Sequence, residues 1–166
     1  MNRALFLDRD GVINEDYGYV HKIEDFHFRE GIFDVCRAAQ KASMKIIVVT
    51  NQAGIGRGLY DSSDFNLLTQ HMNSVFWLEG VFISGVYFCP FHPAAGLGQY
   101  RKLSYDRKPN PGMIVKACQD HNVNPAHSIM CGDNKTDQEA SARSGIRLYV
   151  DASQDDWKHR LIGLLD

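Results

Sequence analysis

Asp8-Arg9-Asp10-Gly11 sets two carboxylates two residues apart, directly after the apolar run that begins at Ala4. Taken alone, the pair reads equally as a turn cap, since Asp is common in turns. It also suits a division of labour. Asp8, at a strand end, can project towards a substrate. Asp10, one turn on, can reach a leaving-group oxygen, and Gly11 lets the chain bend close to a phosphate. Asp133 shifts the balance, because it follows a glycine at the end of another apolar run, with Asp137 four residues later. Clustered carboxylates repel one another unless a cation sits between them. A hard oxygen set with room for water suits Mg²⁺. Asp137 itself reads as a helix cap near a positive dipole end.

Two cationic or phosphate-seeking segments complete the inventory. In Thr50-Asn51-Gln52-Ala53-Gly54, a hydroxyl and successive backbone N–H groups make a natural phosphate cradle. The glycines from Gly54 to Gly58 lack the Gly-Lys-Ser/Thr ending of a P-loop and are a weak nucleotide signal. Arg107-Lys108-Pro109 places two cations before a helix-starting segment, and in isolation reads as a solvated pair.

The elements that must carry these residues alternate. Strands are expected at Ala4 to Asp8, Met44 to Thr50, Val86 to Cys89, Ser128 to Gly132 and Ile146 to Val150. Helices are expected around Ile32 to Ala39, from a Ser62 or Ser63 cap through Phe76, from Pro111 (capped by Asn110) to His121, at Thr136 to Ser144 and at Trp157 to Leu165. Pro90 to Asn110 reads as a long loop. This is an α/β pattern, with a mostly parallel central sheet covered by helices on both faces. Residues 1–166 fit a single domain. In such sheets ligands lie beyond the carboxyl ends of the strands, so Asp8, Thr50 and Asp133 are expected at one rim.

The bulk properties narrow the function. Net charge is −2, with no basic stripe, which argues against nucleic acid as a partner. No apolar stretch is long enough to span a membrane, and Leu5-Phe6-Leu7 is too short for a signal-peptide core. Cys36, Cys89, Cys118 and Cys131 form no C-x-x-C pair and read as reduced thiols rather than a disulfide framework. A cytoplasmic monomer is the default expectation.

Together, D-R-D-G at Asp8 to Gly11, T-N-Q at Thr50 to Gln52, R-K-P at Arg107 to Pro109 and G-D-x-x-x-D at Gly132 to Asp137 resemble the haloacid dehalogenase (HAD) superfamily of phosphatases. D-Y-G-Y-V-H at Asp16 to His21, the run on to Gly58, C-P-x-H-P at Cys89 to Pro93 and R-K-P-N-P-G-M at Arg107 to Met113 look like the D-glycero-D-manno-heptose 1,7-bisphosphate phosphatases. Histidinol-phosphate phosphatase is a relative with a similar pattern. The resemblance implies a three-layer Rossmann-like fold without a separate cap domain. It implies that Asp8 attacks phosphorus and that Asp10 is acid and then base. Thr50 and Lys108 would balance phosphoryl charge. Mg²⁺ would be held by Asp8, the Asp10 carbonyl and Asp133. Asp16, Tyr17, Gly18, Tyr19, Asn51, Gln52, Ala53, Arg107 and Asn134 would meet a small phosphorylated sugar used in cell-surface polysaccharide synthesis. Asn134 stands where many heptose phosphatases place a lysine. Relatives also bind zinc in the loop after the third strand. Here Phe91, Ser104 and Asp106 replace expected ligands, leaving Cys89 and His92 as remnants, so zinc is not expected. Phe91, with Tyr100 and Tyr105, is expected to pack the loop instead.

Overall fold

The first strand, β1 (Arg3–Leu7), lies at the centre of the sheet because both of its faces are apolar, and Ala4 through Leu7 are fully buried. The structure, a computed structural model, describes residues 1–165. β1 pairs in parallel with β2 (Met44–Asn51) on one side and with β4 (Ile129–Gly132) on the other. β3 (Ile83–Cys89) continues the sheet beyond β2, and β5 (Leu148–Asp151) continues it beyond β4. The order is β3-β2-β1-β4-β5, all parallel. Successive side chains on β1 point to opposite faces, and each face has its own core. Leu5 and Leu7 pack with α1 (Ile32–Lys41), α3 (Ser62–Leu78) and α6 (Trp157–Gly163). Ala4 and Phe6 pack with α4 (Gly112–His121) and α5 (Lys135–Ser144). A single turn, α2 (Ala53–Gly56), follows β2. This is the three-layer architecture expected, with no cap domain among the described residues.

Several boundaries differ from the sequence reading. Asp61, not Ser62 or Ser63, caps α3, in a reciprocal capping box with Asp64. α4 starts at Gly112, with Pro111 at the cap position, while the Asn110 side chain donates to the Ser104 carbonyl. β5 starts at Leu148 because Ile146 N–H closes the end of α5 on the Ser141 carbonyl, after Gly145 at φ 90°. β3 begins three residues before Val86, held by the pairing of Ile83 with Ile46. The long loop contains one 3₁₀ turn, Gly98–Tyr100. No helix among the described residues is long and apolar enough to cross a membrane.

Because β2 and β3 are added on one side of β1 and β4 and β5 on the other, the strand order reverses between β1 and β4. Asp8 and Asp133 flank that switch point, the place where such sheets bind ligands.

Candidate active site

Asp8 continues the sheet by one residue: its N–H donates to the Cys131 carbonyl of β4 at 3.1 Å. Its side chain is nearly buried and meets the ammonium of Lys108 at 2.9 Å. Lys108 Nζ also lies 2.6 Å from Asp137 Oδ1 and donates to the Val49 carbonyl at 2.8 Å. One buried cation therefore faces two carboxylates. Burial pushes the Asp8 carboxyl up to about 7, Lys108 opposes this, and Asp137 adds to it. Burial pulls the Lys108 ammonium down, but Asp8 and then Asp137 outweigh it, so the net direction is up.

Asp133 joins from the end of β4. Oxygens of Asp8, Asp133 and Asp137 lie within 4.8 Å of one another. Burial, then Asp137, raises the Asp133 carboxyl. Gly11, at φ 82°, passes so close that a Cβ there would sit 2.0 Å from Asp133 Oδ2. The backbone turn thus keeps a space that only glycine leaves open. A converging set of hard oxygens, short of cations and beside an open cavity, fits Mg²⁺. The Asp10 side chain is not part of this cluster.

Asp10 is held elsewhere. It accepts from Arg9 Nη2 at 2.7 and 2.9 Å, from Asn14 Nδ2 at 3.1 Å and from Gln52 Nε2 at 3.0 Å. Arg9 is fully buried. It also donates to the Val20 carbonyl at 2.7 Å and lies over the Phe26 ring. Gln52 Nε2 is 2.9 Å from Thr50 Oγ1, and the Gln52 oxygen accepts from the Tyr60 hydroxyl. Asn51 grips the Lys108 main chain at both ends, donating to its carbonyl and accepting from its N–H, each at 3.0 Å.

A cavity of about 270 Å³ opens between these elements, and Asp133, Arg9 and Asn14 lie outside its lining. Of the residues expected from sequence, Asp8, Asp10, Asp16, Gly18, Tyr19, Thr50, Asn51, Gln52, Ala53, Arg107, Lys108 and Asn134 line it. Tyr17 is outside the lining: it is exposed, with its ring edge-on to His27 at 5.7 Å. The Asn51 side chain is occupied by Lys108. Tyr60, Thr136 and Asp137 line the cavity without having been expected there. Asp137 does cap α5, through the Asn134 N–H at 3.1 Å on Oδ2, but its other oxygen serves Lys108. Asn134 Nδ2 donates to Asp133 at 2.9 Å.

The sequence aligns with that of a D-glycero-alpha-D-manno-heptose-1,7-bisphosphate 7-phosphatase of Burkholderia mallei at 52% identity, over 87% of this chain and 77% of the relative. The chain belongs to the heptose bisphosphate phosphatase family of HAD-like hydrolases. A D-glycero-beta-D-manno-heptose-1,7-bisphosphate 7-phosphatase of Vibrio cholerae is 45% identical, over 86% of this chain and 77% of its own. The model of the family "Haloacid dehalogenase-like hydrolase" matches residues 101–150. The D,D-heptose 1,7-bisphosphate phosphatase of B. bronchiseptica, whose structure holds magnesium and phosphate, superposes with a TM-score of 0.78 at 27% identity, over 88% of this chain and 78% of that one. A HAD-like protein of Mesorhizobium loti gives 0.88 at 31% identity, over 99% and 86%. As a member of this family, the chain is a phosphatase.

The end of β3 and the loop that runs on to α4 carry Cys89, Phe91, His92, Ser104 and Asp106, and the loop's contacts are made within the protein. His92 Nδ1 accepts from the Ala94 and Ala95 N–H groups at 3.1 and 2.9 Å. The Phe91 ring packs 5.9 Å from Tyr100, with Lys102 Nζ 4.1 Å above it. Tyr105 is exposed and adds nothing to that packing.

Proposed function

We propose that this chain is a Mg²⁺-dependent phosphomonoesterase. It removes the 7-phosphate of D-glycero-D-manno-heptose 1,7-bisphosphate in the making of cell-surface heptose, through an aspartyl-phosphate on Asp8. The observation that carries the reading is the nucleophile itself: a nearly buried carboxylate at a central strand end, 2.9 Å from a buried lysine and facing a polar cavity. Asp8 attacks phosphorus, an oxygen–phosphorus bond forms and the bond to the sugar oxygen breaks. Asp10 gives a proton to that oxygen, then takes one from the water that attacks the aspartyl-phosphate. Inorganic phosphate leaves and Asp8 is restored. Lys108 and the Thr50 hydroxyl balance the charge on the transferring group. Asp8, Asp133 and the Asp10 carbonyl would hold magnesium, which supplies further positive charge beside the phosphoryl oxygens.

Asp16, Gly18, Tyr19, Gln52, Ala53, Arg107 and Asn134 face the sugar and its second phosphate. Zinc has no part in this reading, because His92 and Phe91 already serve the loop through protein contacts. The chain works as one catalytic unit covered only by loops. A phosphate-release screen over heptose bisphosphates, other sugar phosphates and histidinol phosphate, with Mg²⁺, tests the proposal. Fastest release from the heptose bisphosphate is expected. Turnover of histidinol phosphate alone would overturn the substrate, and release from none would overturn the activity.

A further inference from the structure

We propose that Tyr60 is a positioning residue for this reaction: its hydroxyl fixes which way the Gln52 amide faces and so sets the hydrogen bonds of Asp10 and Thr50. The proposal rests on the roles given above to Asp10 and Thr50.

The Tyr60 ring is buried against α2, where Gly54 leaves the room. A Cβ at that glycine would fall 2.1 Å from the ring. Burial pushes the phenol up to about 12, so the hydroxyl keeps its proton. It therefore acts as a donor towards the Gln52 oxygen it touches. An amide has one accepting and one donating end. With the oxygen turned to Tyr60, the NH₂ group faces Asp10 Oδ2 at 3.0 Å and Thr50 Oγ1 at 2.9 Å. Both amide protons are used. Because Thr50 accepts from Gln52, its own hydroxyl proton is tied only to the Asn51 carbonyl at 3.5 Å, a long contact that a phosphoryl oxygen can replace.

The Tyr60 ring also carries the substrate loop. His21 stacks flat on it, with centroids 4.9 Å apart and planes 5° apart, and His21 Nδ1 lies 2.8 Å from the carbonyl of Tyr19, which lines the cavity.

Tyr60→Phe keeps the ring and removes only the hydroxyl. We expect kcat to fall by about tenfold to a hundredfold, the range for disturbing one hydrogen bond to a charged group, here the bond from Gln52 to Asp10, with KM unchanged and a small fall in Tm from the Gln52 oxygen left unpaired. In a Gln52→Ala background the same replacement has no further effect on kcat, because the hydroxyl acts through Gln52. Wild-type kcat in Tyr60→Phe, an equal drop in both backgrounds, or a loss confined to Tm and KM overturns the proposal. The Gln52 side-chain amide protons, followed by ¹⁵N NMR, read the orientation without turnover. They move on Tyr60→Phe, and their staying in place overturns the inference even in a protein that releases no phosphate, a separate result that sinks the proposed activity.

Discussion

Lys108→Met is the most informative single change. It keeps an apolar stem in the buried position and removes the charge shared by Asp8 at 2.9 Å and Asp137 at 2.6 Å. Two carboxylates then face each other without a counterion. Removing one partner from a buried pair costs about 3–5 kcal/mol. In a chain of this length each kcal/mol moves Tm by roughly 2–4 °C, so a fall of about 6–20 °C is expected. The deficit has a pH signature. With the lysine gone, Asp8, already raised by burial and by Asp137, binds its proton still more tightly in the folded protein than in the unfolded chain. Its contribution is full below the unfolded value and is lost as pH rises through the folded one. The deficit measured in chelator is therefore largest at pH 8 and shrinks towards pH 5. Mg²⁺ at pH 8 also reduces it, by placing a cation among the same oxygens. Turnover falls by at least about a hundredfold, as when one donor to a developing oxyanion is lost. Thermal melts at the two pH values, with and without Mg²⁺, beside phosphate release, make the assay. A Tm within about 3 °C of wild type at pH 8 in chelator, roughly the effect of 1 kcal/mol, would refute the electrostatic account.

Asp8→Asn should fold normally and release no phosphate, since an amide cannot attack phosphorus; wild-type turnover in the folded variant would end the nucleophile assignment. The Asp8 carboxyl moves up from 3.8 to about 7 on folding, so metal-free wild type should lose stability relative to Asp8→Asn as pH climbs through that window. Melts of the two proteins that run parallel across the window would contradict this. Chelator should abolish turnover and added Mg²⁺ restore it, whereas full activity with no metal bound would remove the ion from the reaction. Protein purified without added metal should lack stoichiometric zinc and melt at the same temperature in chelator; bound zinc whose removal lowers Tm by many degrees would show that Cys89 and His92 still hold a site.

The strand ends were legible because β1, β2 and β4 are short apolar runs that give way to polar residues at Asp8, Thr50 and Asp133, and burial on both faces demands such runs. The start of β3 was not, because Ser84 and Gly85 dilute the apolar signal and only pairing with β2 holds them extended. Asp137 was legible as a cap and not as a partner of Lys108. A carboxylate has two oxygens, and sequence rules describe only the one that bonds locally. Arg9 carries no local sequence signal of burial. Its burial depends on the Val20 carbonyl and the Phe26 ring, which only the folded loop brings near. Tyr60 gave a fainter cue, an aromatic two residues after Gly58, and its link to Gln52 appears only once α2 has turned the chain back.

The grip of Asn51 on Lys108 draws a line between what can drift in this protein and what cannot. Lys108 is anchored from outside the loop: Asn51 holds its main chain at both ends, and the Val49 carbonyl, Asp8 and Asp137 hold its ammonium. Arg107, one residue earlier, is anchored from the loop, through the Phe91 carbonyl at 3.2 Å. Residues 90–106 therefore do not set the register of the lysine against Asp8. A lineage can change the composition or length of that segment and leave the ammonium in place. What such changes touch instead is the rim of the cavity, through Arg107, and the α2 turn, through the Leu97 N–H on the Gly56 carbonyl and the packing of Tyr100 beside Tyr60.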